Sequence, residues 1–385
     1  MQLTKVQLSE LMCKHSQREN GLQDLLEIML ESMMVAERGE FLRESPSNKG
    51  NGYRPGHTYG HGRRLEFRIP RDRYGNFHPQ ILAILRNQEE ECDRLAGVLY
   101  TKGLTQEQVS EVFGEIYGEH YSKSSISRMV ESVRMQVGDW LERGLEAYYP
   151  VVFVDCVHIK VHRKRSVASE AFYVALAVTD EGRREVLGIY NIPTESATGW
   201  GGIFDDLKER GVERVGLMVA DGIKGLDTVV GEKFPSTPLQ RCVTHLKRNL
   251  FAKVRHGDKA ALASDLRDVF RTGQQDYTVE QAWAKWQLMC DRWGKDYRAF
   301  KLMRDDAAYK AYMLYLNYHH DIQSMIYTTN WIERLNRDFR RVTRMRTAMP
   351  NEESVLTLMG SVAMEHKAFD RILPRITADK TLFPD

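Results

Sequence analysis

This chain of 385 residues lacks the features that mark several large classes of protein. Its five cysteines are an odd number and include no Cys-x-x-Cys pair, so we expect neither a disulfide framework nor an oxidising compartment. No apolar run approaches the ~20 residues that a membrane span needs, and the N-terminus has no signal-peptide pattern. The formal net charge is only +2, so bulk charge does not indicate a partner. These absences predict a soluble intracellular protein.

The length and composition predict a globular protein with more than one domain, because 42% of the residues are hydrophobic and 28% are charged. Changes in hydrophobic period and in Gly and Pro content divide the chain into six stretches. We predict an amphipathic N-terminal helix (1–45), a linker with a short β element (46–79), a helical region with a helix-turn-helix (80–147), the first part of an α/β core (150–242), a helical insertion (243–321) and the last helices of the core (322–373).

Helical periodicity over residues 80–145 is typical of a helix-turn-helix. Thr105 and Gln108 have the spacing of a capping box, and a Gly-containing connection leads to a helix that begins with small polar and basic residues. Such residues at the start of a recognition helix meet base edges and phosphates. The candidate DNA-binding residues here are Ser124, Ser125, Ser127 and Arg128. A plain three-helix bundle would give the same pattern.

The pattern changes to strands at about residue 150. Strands are predicted over 151–161, 171–179, 184–191 and 215–220, with a helix over 202–210. Three consecutive strands followed by a helix and a fourth strand give the order β-β-β-α-β-α, which is that of the RNase H fold. The predicted fold class is therefore an α/β RNase H-like catalytic domain with a mixed sheet. An all-α insertion interrupts this domain, and a mostly helical region precedes it.

Two aspartates stand where this fold would bring them together. Asp155 interrupts the apolar row of the first strand, and Asp221 follows the fourth. The first and fourth strands are neighbours in an RNase H-like sheet, so we expect the two carboxylates to face each other. Such a pair repels unless a cation lies between them, and Mg²⁺ or Mn²⁺ is the natural choice for oxygen ligands. A hydrogen-bonded buried acid and a helix N-cap are the ordinary alternatives.

A third acid, Glu333, begins a strongly basic helix. It lies one position away from the apolar stripe of that helix, at its rim. The arginines that continue its face and are predicted to bind DNA phosphates are Arg337, Arg340, Arg341 and Arg344. An i,i+4 salt bridge from Glu333 to Arg337 is the ordinary alternative. Three carboxylates around two metal ions suit phosphodiester chemistry.

A Cys-x-x-His pair, Cys242 and His245, follows the core strands. A closed zinc site needs further soft ligands, and no second pair has suitable spacing. We therefore predict a packing or supporting role for these two residues. We predict the same supporting role for Asn330 and Asn336 on the basic helix.

The sequence resembles the Mutator-type transposases of bacterial insertion sequences, members of the DDE group with an RNase H-like catalytic domain. The motifs that carry this resemblance span nearly the whole chain and stand in the family's order. They are Asn51-Gly-Tyr-Arg with Ile69-Pro-Arg-Asp-Arg-Tyr-Gly-Asn-Phe, Tyr121-Ser-Lys-Ser-Ser-Ile-Ser-Arg, Val154-Asp-Cys-Val-His-Ile-Lys-Val, Val219-Ala-Asp-Gly-Ile-Lys-Gly-Leu with Gln240-Arg-Cys-Val-Thr-His, and Thr328-Thr-Asn-Trp-Ile-Glu-Arg-Leu-Asn-Arg with Phe339-Arg-Arg-Val-Thr. One departure is Gly222-Ile-Lys, which replaces an Ala/Gly-His-Glu type of run.

The resemblance implies that Asp155, Asp221 and Glu333 are the catalytic and metal-binding triad, and that Cys242 and His245 are the family's Cys/His element. It also implies cleavage at the terminal inverted repeats of an insertion sequence, followed by transfer of the freed 3′-hydroxyl to another DNA strand.

The expected cofactor is two Mg²⁺ ions, for which Mn²⁺ can substitute. The expected partner is double-stranded DNA, as inverted repeats and as target, bound by a homodimer. We expect neither a membrane nor a small-molecule substrate to be bound. The expected location is the bacterial cytoplasm, at the nucleoid.

Two alternatives stay open at this point. One is an RNase H-like structure-selective nuclease that does not transfer strands. The other is a non-catalytic helix-turn-helix regulator.

Overall fold

The computed structural model describes residues 21–45, 47–60, 63–117, 123–164, 166–192 and 197–365. The chain forms two compact units, Met1–Val133 and Arg134–Asp385. The first twenty residues of the predicted N-terminal helix and the end of the stretch 322–373 lie outside the described residues. Among the described helices, none is both long and apolar enough to cross a membrane.

The first unit begins with helix α1 (Gly21–Glu44) and a two-stranded antiparallel ribbon, β1 (Gly50–Gly60) and β2 (Arg63–Asp72). Alternate side chains of β2 are buried with Met34 of α1. This part of the sequence was expected to be a linker, and that prediction is wrong for β1. Its Gly and Pro residues resemble a loop, but both strands of a two-stranded ribbon are edge strands, where such residues are tolerated.

Asp72 organises the chain that leaves the ribbon. Its carboxylate accepts a hydrogen bond from the Asn48 side chain at 2.8 Å. It also accepts hydrogen bonds from the backbone N–H groups of Tyr74, Asn76 and Phe77, at 3.1–3.2 Å. Burial opposes ionisation of Asp72, but these donors outweigh it and hold the pKa well below its usual range.

Three helices follow the ribbon: α2 (Gln80–Thr101), α3 (Gln106–Tyr117) and α4 (Lys123–Leu141). The predicted capping box is confirmed, since Thr105 and Gln108 each bond the other's backbone N–H, at 2.9 and 3.1 Å. At the start of α4, Ser124, Ser127 and Arg128 are exposed and Ser125 is half-buried. Recognition of DNA by these four residues stays a prediction.

The second unit is built on a five-stranded mixed sheet in the order β5-β4-β3-β6-β7. Its strands are β3 (Tyr148–Arg163), β4 (Ser166–Val178), β5 (Arg184–Ile192), β6 (Arg214–Ala220) and β7 (Leu239–Arg241), with α5 (Ala197–Glu209) and α6 (Leu226–Lys233) between the later ones. The first three strands are antiparallel, whereas β3–β6 and β6–β7 are parallel. The predicted element order is confirmed, and so is the pairing of the first strand with the fourth.

The central strands of this sheet are covered on both faces. Every residue from Ala171 to Val178 is buried, as expected for a continuous apolar run rather than an alternating one. Trp200 of α5 packs edge-on against Tyr173, with ring centroids 4.9 Å apart, and lies 5.7 Å from Phe204. The same core cluster includes Val152 and Val154 of β3 and Met218 and Ala220 of β6.

Between β7 and the last helices, the chain is helical, as the sequence predicts. The elements are α7 (Val243–Phe251), a 3-10 turn (His256–Asp258), α8 (Lys259–Val269), α9 (Val279–Trp293), α10 (Arg298–Met303), two 3-10 turns (Ala307–Tyr312 and Leu314–Asn317) and α11 (His320–Ile326). Trp286 and Trp293 are buried in this region. Trp283 is only half-buried, with Lys310 Nζ 5.3 Å from its ring centre.

Two helices close the described chain, α12 (Asn330–Thr343) and α13 (Glu352–Met364). The apolar stripe of α12 is buried, as predicted, and α12 packs against β3. Trp331 reinforces this contact, because its ring lies 5.5 Å from that of Phe153. The first turn of α12 is thereby placed near the middle of β3.

Candidate active site

The parallel pairing of β3 with β6 brings the two aspartates to adjacent positions. Val154 is aligned with Ala220, so Asp155 and Asp221 are the next residues along their two strands. Asp155 continues within β3, whereas β6 ends just before Asp221. One carboxylate is thus fixed inside the sheet and the other at a strand end, where a parallel sheet opens into a cleft.

Glu333 reaches the same place from α12. Its Oε1 lies 3.8 Å from His245 Nε2, and its Oε2 lies 3.3 Å from Arg248 Nη2. Thr329 Oγ1 lies 3.3 Å from Glu333 Oε1, within hydrogen-bond distance. Among the described contacts, Glu333 is paired with Arg248 and His245, and the i,i+4 pair with Arg337 is not formed. The carboxylate of Glu333 therefore turns toward the sheet and not along its own helix.

His245 and Asn336 connect the three acids. His245 stands between two of them, with Nδ1 3.5 Å from Asp221 Oδ1 and Nε2 3.8 Å from Glu333 Oε1. Asn336 is 1% exposed and donates from Nδ2 to Asp155 Oδ2 at 2.8 Å. Glu333 and Asn336 are three residues apart and therefore lie on one face of α12. From that face, Asn336 bonds Asp155, and Glu333 lies beside His245, which faces Asp221. The site thus gathers side chains from positions 155 to 336.

The surroundings of Asp155 disfavour a free negative charge there. Burial raises the pKa of Asp155 to about 6, and the negative charges of Asp221 and Glu333 act in the same direction. The backbone N–H of Cys156 and the side chain of His245 oppose this rise. A carboxyl group in such a position is stabilised in its ionised form by a nearby cation.

Cys242 and His245 form a polar pair beneath the acids. The nearby Cys242 side chain is the main cause that raises the pKa of His245 to about 9, and Asp221 and Glu333 add to the effect. Burial opposes ionisation of the Cys242 thiol, but the neighbouring His245 and the hydrogen bonds from Thr329 outweigh it and lower the pKa. The Cys242 sulfur accepts from Thr329 N at 3.4 Å and from Thr329 Oγ1 at 3.2 Å. This pair ties the start of α7 to the start of α12.

The donor set at the acids suits a hard divalent cation. Asp155, Asp221 and Glu333 offer carboxylate oxygens, which Mg²⁺ and Mn²⁺ prefer. Burial is the main cause of the raised pKa of Asp155, with the charges of Asp221 and Glu333 adding to it, and a cation bound by these oxygens would favour the ionised form.

The basic face of α12 is exposed as the sequence predicts. Its members Arg337, Arg340, Arg341 and Arg344 are all exposed to solvent. Arg346, in contrast, is only 9% exposed and does not belong to this face. The four exposed guanidinium groups can meet a polyanion, and their contact with DNA stays a prediction.

Three residues near the acids were not singled out as site residues from the sequence: Thr329, Arg248 and Tyr312. Arg248 stands three residues after His245 on α7, so helical spacing from the Cys-x-x-His pair could have indicated it. The Tyr312 hydroxyl lies 3.5 Å from the position that a Cβ on Gly222 would take. Tyr312 belongs to the helical insertion, and no pattern in the neighbouring sequence indicates that it lies near the acids. Asn330 is exposed at the first position of α12, and no described hydrogen bond joins it to the acids.

Comparisons with known proteins agree on one family. The family model described as transposase, Mutator family, matches residues 1–371. The transposase for insertion sequence element IS905 of Lactococcus lactis subsp. lactis (strain IL1403) is 31% identical over 339 residues, covering 86% of this chain and 85% of that protein. The transposase for insertion sequence element IS256 in transposon Tn4001 of Staphylococcus aureus is 28% identical over 365 residues and covers 91% of each chain.

A third relative is the transposase for insertion sequence element ISRM3 of Rhizobium meliloti (strain 1021). It is 30% identical over 348 residues, covering 89% of this chain and 86% of that protein. Among solved structures, the Drosophila P element transposase strand transfer complex matches 76% of this chain and 82% of its own, at 10% identity and a TM-score of 0.31. A likeness this distant does not define the fold.

Proposed function

The chain belongs to the Mutator family of transposases, enzymes that cleave and join DNA, and we propose that Asp155, Asp221 and Glu333 are its catalytic acids. The observation that carries this proposal is the convergence of the three side chains from β3, the end of β6 and α12. With the family established, the regulator and the plain nuclease are set aside as descriptions of the chain's activity.

We further propose that the second unit is an RNase H-like catalytic domain of the DDE type. Three antiparallel strands followed by two parallel ones, in the order β5-β4-β3-β6-β7, support this proposal. So does the position of Asp155 on β3 and of Asp221 directly after the end of the neighbouring β6. The helical region 243–321 is then an insertion between the second and third acids.

The proposed cofactor is a pair of Mg²⁺ ions, held by Asp155, Asp221 and Glu333, with Mn²⁺ able to substitute. Two such ions supply a more acidic attacking oxygen and a stabilised leaving oxygen. The chain's own contribution is to hold the ligands. Asn336 orients Asp155 through its hydrogen bond. His245 faces Asp221 with one ring nitrogen and Glu333 with the other.

We propose that two separate elements of the chain bind the DNA. The N-terminal end of α4, with Ser124, Ser125, Ser127 and Arg128, would recognise the terminal inverted repeats. The exposed arginines of α12 follow Glu333 on the same helix and would bind the phosphates next to the cleaved bond. Synapsis of two element ends by a homodimer follows from the need to process both ends together.

A strand-transfer assay with the inverted repeats of the chain's own element tests this function. With Mg²⁺, the wild-type protein should nick labelled ends and join the 3′-hydroxyl to target DNA. Asp155→Asn should lower both activities by more than about a hundredfold, since even supporting residues of metal sites cost 10–100-fold. Asp276→Asn, an exposed acid of the helical insertion, is the matched control and should stay active.

Binding to the ends, measured by gel shift, separates catalysis from folding in this assay. Asp155→Asn should bind the ends as well as the wild type does. Cleavage without any joined product would contradict the strand-transfer step. Full activity of Asp155→Asn would refute the assignment of the acids.

A further inference from the structure

A second group of potential metal ligands overlaps the catalytic acids and contains sulfur. Cys242, His245 and Glu333 each offer one ligand atom, and these three atoms lie within 4.8 Å of one another. Cys242 is completely buried, while His245 and Glu333 are half-buried. Mg²⁺ is a hard ion that prefers oxygen ligands to a thiol, so binding of Mg²⁺ by the acids does not explain why Cys242 lies in this group.

The spacing of the three donors is close to what a tetrahedral ion needs. Zinc binds sulfur at about 2.3 Å and nitrogen or oxygen at about 2.0–2.2 Å, which places neighbouring ligand atoms roughly 3.3–3.6 Å apart. His245 Nε2 and Glu333 Oε1 are already 3.8 Å apart. The three ligand atoms would have to approach one another by about 1 Å, which small side-chain rotations allow.

The orientation of His245 also matches that of a zinc ligand. A ligating histidine usually donates its other ring N–H to a carboxylate, which fixes the ring and its tautomer. Here Nδ1 lies 3.5 Å from Asp221 Oδ1, and it is a buried atom without a hydrogen-bond partner. A slight rotation closes that hydrogen bond and leaves Nε2 free to bind an ion.

Two neighbouring side chains contact these donors. Thr329 Oγ1 lies 3.2 Å from the Cys242 sulfur. Arg248 lies 3.3 Å from both His245 Nε2 and Glu333 Oε2. The Arg248 side chain is 58% exposed, so it can leave without loss of buried packing. It therefore competes with a cation for this position.

We propose that Cys242, His245 and Glu333 form a binding site for Zn²⁺ or a similar borderline-soft divalent ion. The fourth position of this site is left to water. Because Glu333 belongs to both ligand sets, an ion here withholds it from the hard-ion centre. Zn²⁺ is then an inhibitor of DNA cleavage, a consequence that rests on the proposed function of Glu333, whereas the site itself does not.

Co²⁺ titration of the full chain tests the site without reference to activity. Co²⁺ stands in for Zn²⁺ and gives a thiolate-to-cobalt charge-transfer band only when a cysteine sulfur is bound. We expect the band in the wild type, its removal by added Zn²⁺, and its absence in Cys242→Ser. Cys290→Ser, a change at another buried free cysteine, is the matched control and should keep the band.

Two further variants sharpen the assignment. Asp155→Asn should keep the band, because Asp155 is outside this ligand set, and this outcome separates the zinc site from the catalytic proposal. Arg248→Gln should bind Co²⁺ more tightly, because a competing cation is removed. A wild type without the band, or a band that persists in Cys242→Ser, overturns the proposal. Loss of the band in Asp155→Asn would show that Asp155 belongs to the same ligand set as Cys242, and it would overturn the proposal as well.

Discussion

Replacing Asn336 with alanine isolates the contribution of a buried amide to metal binding at the proposed catalytic centre. Asn336 is 1% exposed, and its side chain donates to Asp155 at 2.8 Å. The change removes this donor but none of the three proposed ligands. Asp155 would keep the backbone N–H of Cys156 and lose its side-chain partner.

The expected size of the effect follows from the charge on the acceptor. A hydrogen bond to a charged group contributes about 1.5–3 kcal/mol. Each 1.4 kcal/mol is a factor of ten in affinity. We therefore expect Asn336→Ala to bind Mn²⁺ roughly 10- to 100-fold more weakly, in agreement with the usual cost of losing a supporting residue at a metal site. DNA cleavage at fixed metal concentration should fall with it, and raised metal should restore part of the loss.

Mn²⁺ binding followed by electron paramagnetic resonance measures the affinity directly, and circular dichroism checks the fold. Asn330→Ala is the matched control, since it is the same substitution on the same helix at an exposed position. It should bind Mn²⁺ as the wild type does. Equal affinities for Asn336→Ala and the wild type, or an equal loss in both variants, would refute the role assigned to Asn336.

Three further predictions concern stability. Gly216→Ala should lower the free energy of unfolding in denaturant by about 1–3 kcal/mol, because the new Cβ would lie 2.6 Å from a carbonyl oxygen of the neighbouring strand. Gly202 lies on a helix with open space around it, so Gly202→Ala should raise the free energy of unfolding by up to about 1 kcal/mol. Trp286→Ala should cost about 3–5 kcal/mol and Leu288→Ala, at a side chain 69% exposed, less than about 0.5 kcal/mol. The folded-state pKa of Asp72 lies below its unfolded value of about 3.9, so its stabilisation is present above that pH and is lost as the pH falls. Urea unfolding of the wild type and Asp72→Asn should therefore differ at about pH 6 and converge in acid, and a gap that widens in acid would contradict this.

Much of the fold follows from local patterns. The β-β-β-α-β-α order, the helical region after β7 and the buried stripe of α12 are each encoded by apolar residues with a period of about two or 3.6. The capping box at Thr105 needs only residues three apart. The ribbon strand β1 could not be predicted in this way. Its Gly and Pro residues carry no periodicity, and it is a strand because β2 pairs with it.

The site was predictable in its acids but not in their partners. Asp155 and Asp221 stood out because a polar residue interrupts or ends an apolar strand. The partner of Glu333 was not predictable, because Arg337 and Arg248 are both arginines that a helix could present to it. Packing of α12 against β3 selects Arg248, which is 85 positions away in the chain. A zinc ligand set was rejected from the sequence for lack of a second pair, yet the fold supplies Glu333 as the third donor.

The sequence by itself determined the order of strands and helices in the α/β core, the buried face of α12, and that acids would stand among arginines. Only the tertiary structure decided that His245 lies between Asp221 and Glu333 and that Asn336 bonds Asp155. It also decided that the Cys242 sulfur lies near Glu333. The physical reason is range. Backbone periodicity is set by neighbours a few residues apart, whereas these contacts join residues 24 to 181 positions apart, and only the packing of α7 and α12 on the sheet brings them within 4.8 Å.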